Sequence, residues 1–180
     1  MVVRIIPATF RDLSYVASRL RDEDREEAEA QIGPFHYIDF AAMHLTDRSY
    51  VVTLDGNPEA AFGAGRLAGD HLWVCWSWGS KRIGRCVPLI SRFVRGVMIP
   101  DLIENGAWRA EARALASHTG ARRWLTRMGA TERCELPAFG RNGETFVLYD
   151  WVRHVHRASR SGEQVGDGTA SLFQSTEGLS

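Results

Sequence analysis

The sequence predicts a mixed α/β domain: one sheet with helices on both faces. Three observations lead there. The apolar period changes along the chain, from helical spacing near the N-terminus to strand spacing between Tyr50 and Trp78, then back to helical spacing after Pro88. The run His71–Trp78 carries apolar groups on both of its sides, as a strand covered on both faces does. Composition is that of an ordinary globular chain: 180 residues, 44% hydrophobic and 24% charged, enough for a core without metal or disulfide help.

The elements follow in order. Val2–Pro7 is a short β-rich run. Leu13, Val16, Ala17 and Leu20 stand at the spacing of one helix face. The helix continues into the acidic run Arg21–Glu29, which is expected to lie in solvent or to steer a basic substrate or partner, and Gly33-Pro34 ends it. Ile38, Ala41, Ala42 and Leu45 mark a second, shorter helix. Tyr50–Leu54, Glu59–Leu67 and His71–Trp78 read as three strands, joined by turns at Asp55–Pro58 and Gly69-Asp70. A basic loop, Gly79–Val87, precedes a helix in which Pro88 suits the first turn and Ile90, Phe93, Val94 and Val97 form the buried stripe. Pro100 interrupts that helix and Asn105-Gly106 ends it. Ala107–Leu115 alternates apolar with charged residues and reads as a strand. Ala121, Trp124, Leu125 and Met128 give a last helical stripe. Thr131–Leu136 and Thr145–Trp151 are the final strands. The order is β-α-α-β-β-β-α-β-α-β-β.

Composition shifts near residue 157. Residues 158–180 carry Gly, Ser, Thr, Glu and Gln with few large apolar groups, too little to repay their own ordering, so the chain divides into a domain over 1–157 and a polar tail, flexible or bound to a partner. Lys+Arg and Asp+Glu are each 22, and a net charge of zero argues against a dedicated nucleic-acid binder. A patch at Arg82–Arg95 leaves that function as the least favoured. Cys75, Cys86 and Cys134 form no CxxC pair and support neither a disulfide framework nor a structural zinc site, which fits folding in a reducing cytoplasm. Met1–Pro7 has no signal-peptide pattern, and no apolar run approaches the roughly 20 residues of a membrane span. His154 and His156 have a metal-like spacing but no third ligand nearby, so they read as a surface pair. Trp73, Trp76 and Trp78 read as core residues.

The element order, with a strand, a glycine-containing basic loop and a helix at His71–Gly106, resembles the GNAT (Gcn5-related N-acetyltransferase) fold over residues 2–151. Trp108–Ala130 resembles a second family stretch, which closes on Met128-Gly129-Ala130. More narrowly, Trp78-Gly79, Arg92-Phe93, Gly106, Trp108–Glu111 and Ala121–Leu125 resemble GNAT-like proteins of short-tailed bacteriophages, some of them internal virion or assembly proteins and others acetyltransferases. That narrower resemblance implies a place in the host cytoplasm or packaged in the virion. It also implies phage structural proteins or a host protein as partners, reached through 158–180.

The GNAT resemblance implies acetyl-CoA as cofactor and no metal. The family holds the pyrophosphate on backbone N–H groups of a loop that opens a helix, where the helix dipole favours anions. The loop reads Gln/Arg-x-x-Gly-x-Gly/Ala, and Lys81-Arg82-Ile83-Gly84-Arg85-Cys86 overlays it with Gly84 in register. Lys81, Arg82, Arg85, Arg92 and Arg95 stand in a stretch without an acid, which suits a ligand with three phosphates or an ordinary solvated loop. The family's general acid is a tyrosine four residues before the glycine that closes the last long helix. Counting back from Gly129 gives Leu125, which has no proton to donate. A family asparagine position falls on His118, a ligand-orienting or helix-capping residue. Tyr149 is a substitute acid or a packed sheet residue. Glu111 is the nearest candidate base, or a partner for Arg109 or Arg113. Two functions stand on this basis. One is a binding module in a phage particle or its assembly, with a degenerate acyl-CoA site. The other is an acetyl-CoA-dependent N-acetyltransferase acting on a host protein or small-molecule amine.

Overall fold

A computed structural model describes residues 1–153. The tail 158–180, the boundary at 157 and the pair His154/His156 lie outside the described residues. Seven strands form one sheet in the order β1-β2-β3-β4-β5-β7-β6. They are β1 (Val3–Pro7), β2 (Ser49–Leu54), β3 (Asn57–Ala68), β4 (Leu72–Gly79), β5 (Arg109–Leu115), β6 (Thr131–Leu136) and β7 (Phe146–Val152). Every neighbouring pair is antiparallel except β4 and β5. Three helices, α1 (Phe10–Ala17), α2 (Asp22–Ile32) and α3 (Tyr37–Met43), stand on one face. The other face carries α4 (Val87–Phe93), a π-helical turn (Val94–Met98), α5 (Ile99–Glu104) and α6 (Thr119–Arg127).

The strand alternation sorts the core into these two layers. Val52, Leu54, Phe62 and Trp73 pack on Ile90, Val94 and Leu102 beneath α4 and α5. Val51, Ala61 and Trp78 pack on Leu13, Val16 and Phe40 of α1 and α3. This double burial is why the β4 sequence is apolar on both sides.

Local chemistry sets the element ends. Thr9 caps α1 in a capping box with Asp12. Asp55 (φ 49°) and Gly56 (φ 87°) both take positive φ, the two-residue turn whose twist matches a hairpin. Pro100 has no N–H to give to the preceding turn, and the helix widens into a π turn just before it.

The N-terminal helix differs from the sequence expectation. Instead of running from Leu13 through Glu29 it breaks into α1 and α2. The Arg21 N–H leaves the helical path to donate to Gly79 O at 2.9 Å, at the end of β4. The acidic run is also not wholly solvated. Asp24 is only 6% exposed. Its Oδ2 accepts the Gly79 N–H at 2.8 Å, and its Oδ1 accepts from Arg21 Nη2 at 2.7 Å. One turn further along α2, Glu27 Oε2 accepts the Leu115 N–H at 2.9 Å, at the end of β5. Two carboxylates on one helix thus hold the ends of two different strands.

Removing one member of a buried, hydrogen-bonded charge set strands its partners. Asp24→Ala is expected to lower the unfolding free energy by about 3 kcal/mol in urea titration. The exposed neighbour substitution Glu23→Ala is expected to stay within about 0.5 kcal/mol of the parent.

Candidate functional site

The one parallel pair in the sheet is short. β4 and β5 pair only over Leu72–Val74 and Arg109–Glu111. Beyond these residues the strands diverge, and a cleft of about 810 Å³ opens between them and reaches both faces of the sheet. Phe40, His44 and Trp76 line it on the α3 side; Val87, Trp124 and Leu125 line it on the α4 and α6 side.

The loop after β4 sits at this opening. Gly79 is required there, since a Cβ would lie 2.7 Å from Glu59 O and 3.0 Å from the Ile83 side chain. Ser80–Cys86 then winds into a short 3₁₀ turn, Ile83–Arg85. Turn carbonyls of Ser80, Arg82 and Ile83 take the N–H groups of Ile83, Arg85 and Cys86. Among the described residues, the N–H groups of Lys81 and Gly84 have no acceptor. A Cβ at Gly84 would meet nothing within 4 Å, so the space over the loop is open.

The six predicted loop residues therefore divide. Ile83 and Cys86 turn their side chains into the core, and burial raises the Cys86 thiol pKa to about 11. Lys81 reaches Asp22 at 3.4 Å on the surface. Arg82 Nη1 binds Glu59 Oε1 at 2.8 Å. Glu59 is fully buried and also accepts from Ser80 Oγ, so the loop is anchored from below by one carboxylate. Arg85 is exposed and has no ion-pair partner among the described residues. Sequence reasoning missed Glu59. It lies in an apolar strand, and only the β3–β4 register brings it beneath the loop.

The predicted catalytic residues are already engaged within the protein. Glu111 lies on the α2 side of β5, 2.9 Å from Arg109 Nε and 3.4 Å from Arg113 Nη2. His118 is 9% exposed; its Nδ1 lies 2.9 Å from Glu27 Oε2 and its Nε2 3.2 Å from Arg21 Nη2. The Glu27 hydrogen bond holds the His118 pKa above the ordinary histidine value, against the pull of burial. Asp24, in the same network, is raised chiefly by burial. Tyr149 is packed in the sheet, and its hydroxyl donates to Glu132 Oε2 at 2.5 Å and accepts from Arg122 Nε at 3.1 Å. Leu125 packs near Ala114 and Tyr149 at the cleft wall. Trp124 Nε1 donates to Ser91 Oγ at 2.9 Å, tying α6 to α4. His44, which the sequence reading passed over, lines the cleft at the end of α3. Its Nδ1 lies 2.8 Å from Phe40 O.

No family model matches the sequence, and no curated protein does. Solved structures do match. An N-acetyltransferase from Staphylococcus aureus Mu50 is 14% identical over 84% of this chain and 99% of its own, with a TM-score of 0.66. The ribosomal-protein-S18-alanine N-acetyltransferase from Escherichia coli is 13% identical over 87% of this chain and 98% of its own, with a TM-score of 0.63. The Salmonella typhimurium protein yncA, solved with its cofactor acetyl-CoA, is 12% identical over 90% of this chain and 100% of its own, with a TM-score of 0.64. The described chain therefore has the mixed α/β fold of GNAT acetyltransferases.

The His118 network carries a pH signature. A histidine whose folded pKa is raised adds stability that is complete below its unfolded value, about 6.5, and is lost as pH rises through the folded value. The stability difference between the parent and His118→Gln is thus expected to be largest near pH 6 and to shrink by pH 9, read by thermal unfolding at each pH. A difference that grows with pH contradicts the assignment.

Proposed function

We propose that this chain binds acetyl-CoA in the β4–β5 cleft and transfers the acetyl group to a primary amine. The observation that carries this reading is the divergence of the two parallel strands beside an open, glycine-containing loop. The residues fit the ligand. Open space over Gly84 leaves room for a pyrophosphate close to the backbone, with the N–H groups of Lys81 and Gly84 and the Arg85 guanidinium as donors. The Glu59–Arg82 pair fixes the loop but spends Arg82's charge, and Lys81 lies near Asp22, so within Lys81–Cys86 Arg85 is the basic side chain left for phosphate.

When bound, acetyl-CoA supplies an acyl group activated on a thiolate leaving group. The chain positions it. Past Val74 the β4 edge is unpaired, and such an edge offers backbone donors and acceptors to an extended ligand arm. Val87 and Trp124 keep the cofactor side of the cleft apolar and dry. Leu125 gives no proton to the departing sulfur. A thiolate is a good leaving group from a thioester, so positioning alone supports transfer.

A second reading, a phage binding module that keeps the fold without turnover, draws on Leu125 in place of the family tyrosine.

Calorimetry separates them. The parent is expected to bind acetyl-CoA with micromolar affinity and to acetylate a primary amine. Gly84→Trp is expected to fold normally, because nothing crowds that site, and to lose acetyl-CoA binding. Absence of binding at millimolar acetyl-CoA overturns the cofactor reading, and binding without amine acetylation favours the binding module.

A further inference from the structure

Resting on the acetyl-transfer reading, we infer that His44 is the general base of this site and that its acceptor is a primary amine on an apolar or aromatic body, seated against Trp76. The geometry singles out this histidine. A carbonyl oxygen only accepts, so the 2.8 Å contact to Phe40 O fixes the proton on Nδ1 and leaves the lone pair on Nε2. The contact to Phe40 O is the only polar contact of the ring among the described residues, so Nε2 has no partner there. The ring is held by aromatic neighbours: Phe40 at 4.3 Å, Trp76 edge-on at 4.7 Å and Trp78 edge-on at 5.6 Å between centroids. These contacts orient the imidazole without neutralising or protonating it. Burial lowers the His44 pKa below the ordinary histidine value, which keeps the ring neutral near pH 7.

The carboxylates that line the cleft are spent. Glu111 lies against Arg109 and Arg113, its two carboxylate oxygens each held by a guanidinium group. On the α2 side, Asp24 pairs with Arg21 and Glu27 with His118. Arg66 of β3 pairs with Asp70. The loop after α3 carries Asp47 and Arg48, which bind each other. None of these touches the His44 ring in the contacts that hold it.

The acceptor class follows from the same wall. Phe40, Met43 and Trp76 present apolar and aromatic surface to the cleft. Trp76 is half-buried and stacks on Trp78, leaving surface for a ligand. Such a wall favours an ammonium group near ring faces and an apolar body beyond it. The acceptor ammonium gives one proton to His44 Nε2. Its nitrogen lone pair forms the C–N bond as the C–S bond breaks. The nitrogen then loses a second proton. The thiolate takes up one of the two protons and solvent receives the other, by way of His44.

His44→Asn is the test, because the Asn amide can keep the donation to Phe40 O while removing the basic nitrogen. Phenethylamine and ethanolamine are the acceptors, and calorimetry with acetyl-CoA runs beside the kinetics. The expected result is unchanged acetyl-CoA binding, a loss of about 100-fold or more in kcat/KM, and disappearance of the acidic limb of the pH–rate profile. Phenethylamine is expected to be the better acceptor for the parent, with the preference lost in Trp76→Ala. A His44→Asn variant within threefold of the parent, with the same pH profile, overturns the inference while leaving acetyl transfer intact. A parent that does not bind acetyl-CoA removes the underlying reading and this inference together. Should the variant not fold, the NMR titration of His44 in the parent decides: a shift on adding phenethylamine supports the assignment, and an unchanged titration contradicts it.

Discussion

Two carboxylates one turn apart on a short helix set the shape of this protein. Asp24 and Glu27 accept the N–H groups of Gly79 and Leu115, the last residues of two parallel strands that have stopped pairing. Strands that diverge strand backbone groups, and buried unpaired groups are costly. Here side chains from α2 take over at the strand ends the role that the neighbouring strand plays in a closed ladder. The helix is a strut across the opening as well as a cover. The cleft is therefore part of the folded state rather than a defect in it.

A second buried carboxylate does similar work on the loop. Glu59 lies beneath the β4–α4 connection and holds Ser80 and Arg82 from below. Gly79 lets the strand end approach the Glu59 backbone closely enough for this to happen. Both devices place a carboxylate where apolar side chains would be expected. Both fix backbone geometry at the place where a ligand with phosphates and an extended arm would enter. The aromatic wall on the opposite side of the sheet, from Phe40 to Trp76, completes a site with one polar end and one apolar end.

Much of this was legible in the sequence and some was not, for identifiable reasons. β6 was readable as Thr131–Leu136 because Gly129 ends the helix before it and Pro137 follows it directly. The double-sided burial of β4 could be read from Trp73, Trp76 and Trp78. The basic loop and Gly84 could be placed because a strand, glycine and helix follow one another directly. The acidic run misled, since Asp22–Glu29 has the composition of a solvated face and nothing local distinguishes Asp24 from its neighbours. Its partner Gly79 is 55 residues away. Glu59 and His44 were hidden in the same manner, each made significant by a pairing that only the folded sheet creates. Glu111 and His118 were found as candidates by position, and the fold gave each of them charged partners.

A crystal structure of the protein with acetyl-CoA tests the role of the β4–β5 opening most directly. The pantetheine arm is expected between Cys75–Gly79 and Ala112–Leu115, where β4 and β5 no longer pair with each other, with the pyrophosphate over Gly84 and Asp24 and Glu27 still bound to the strand ends. Strands closed into a continuous ladder through Gly79 and Leu115, or acetyl-CoA lying outside that opening, would contradict it.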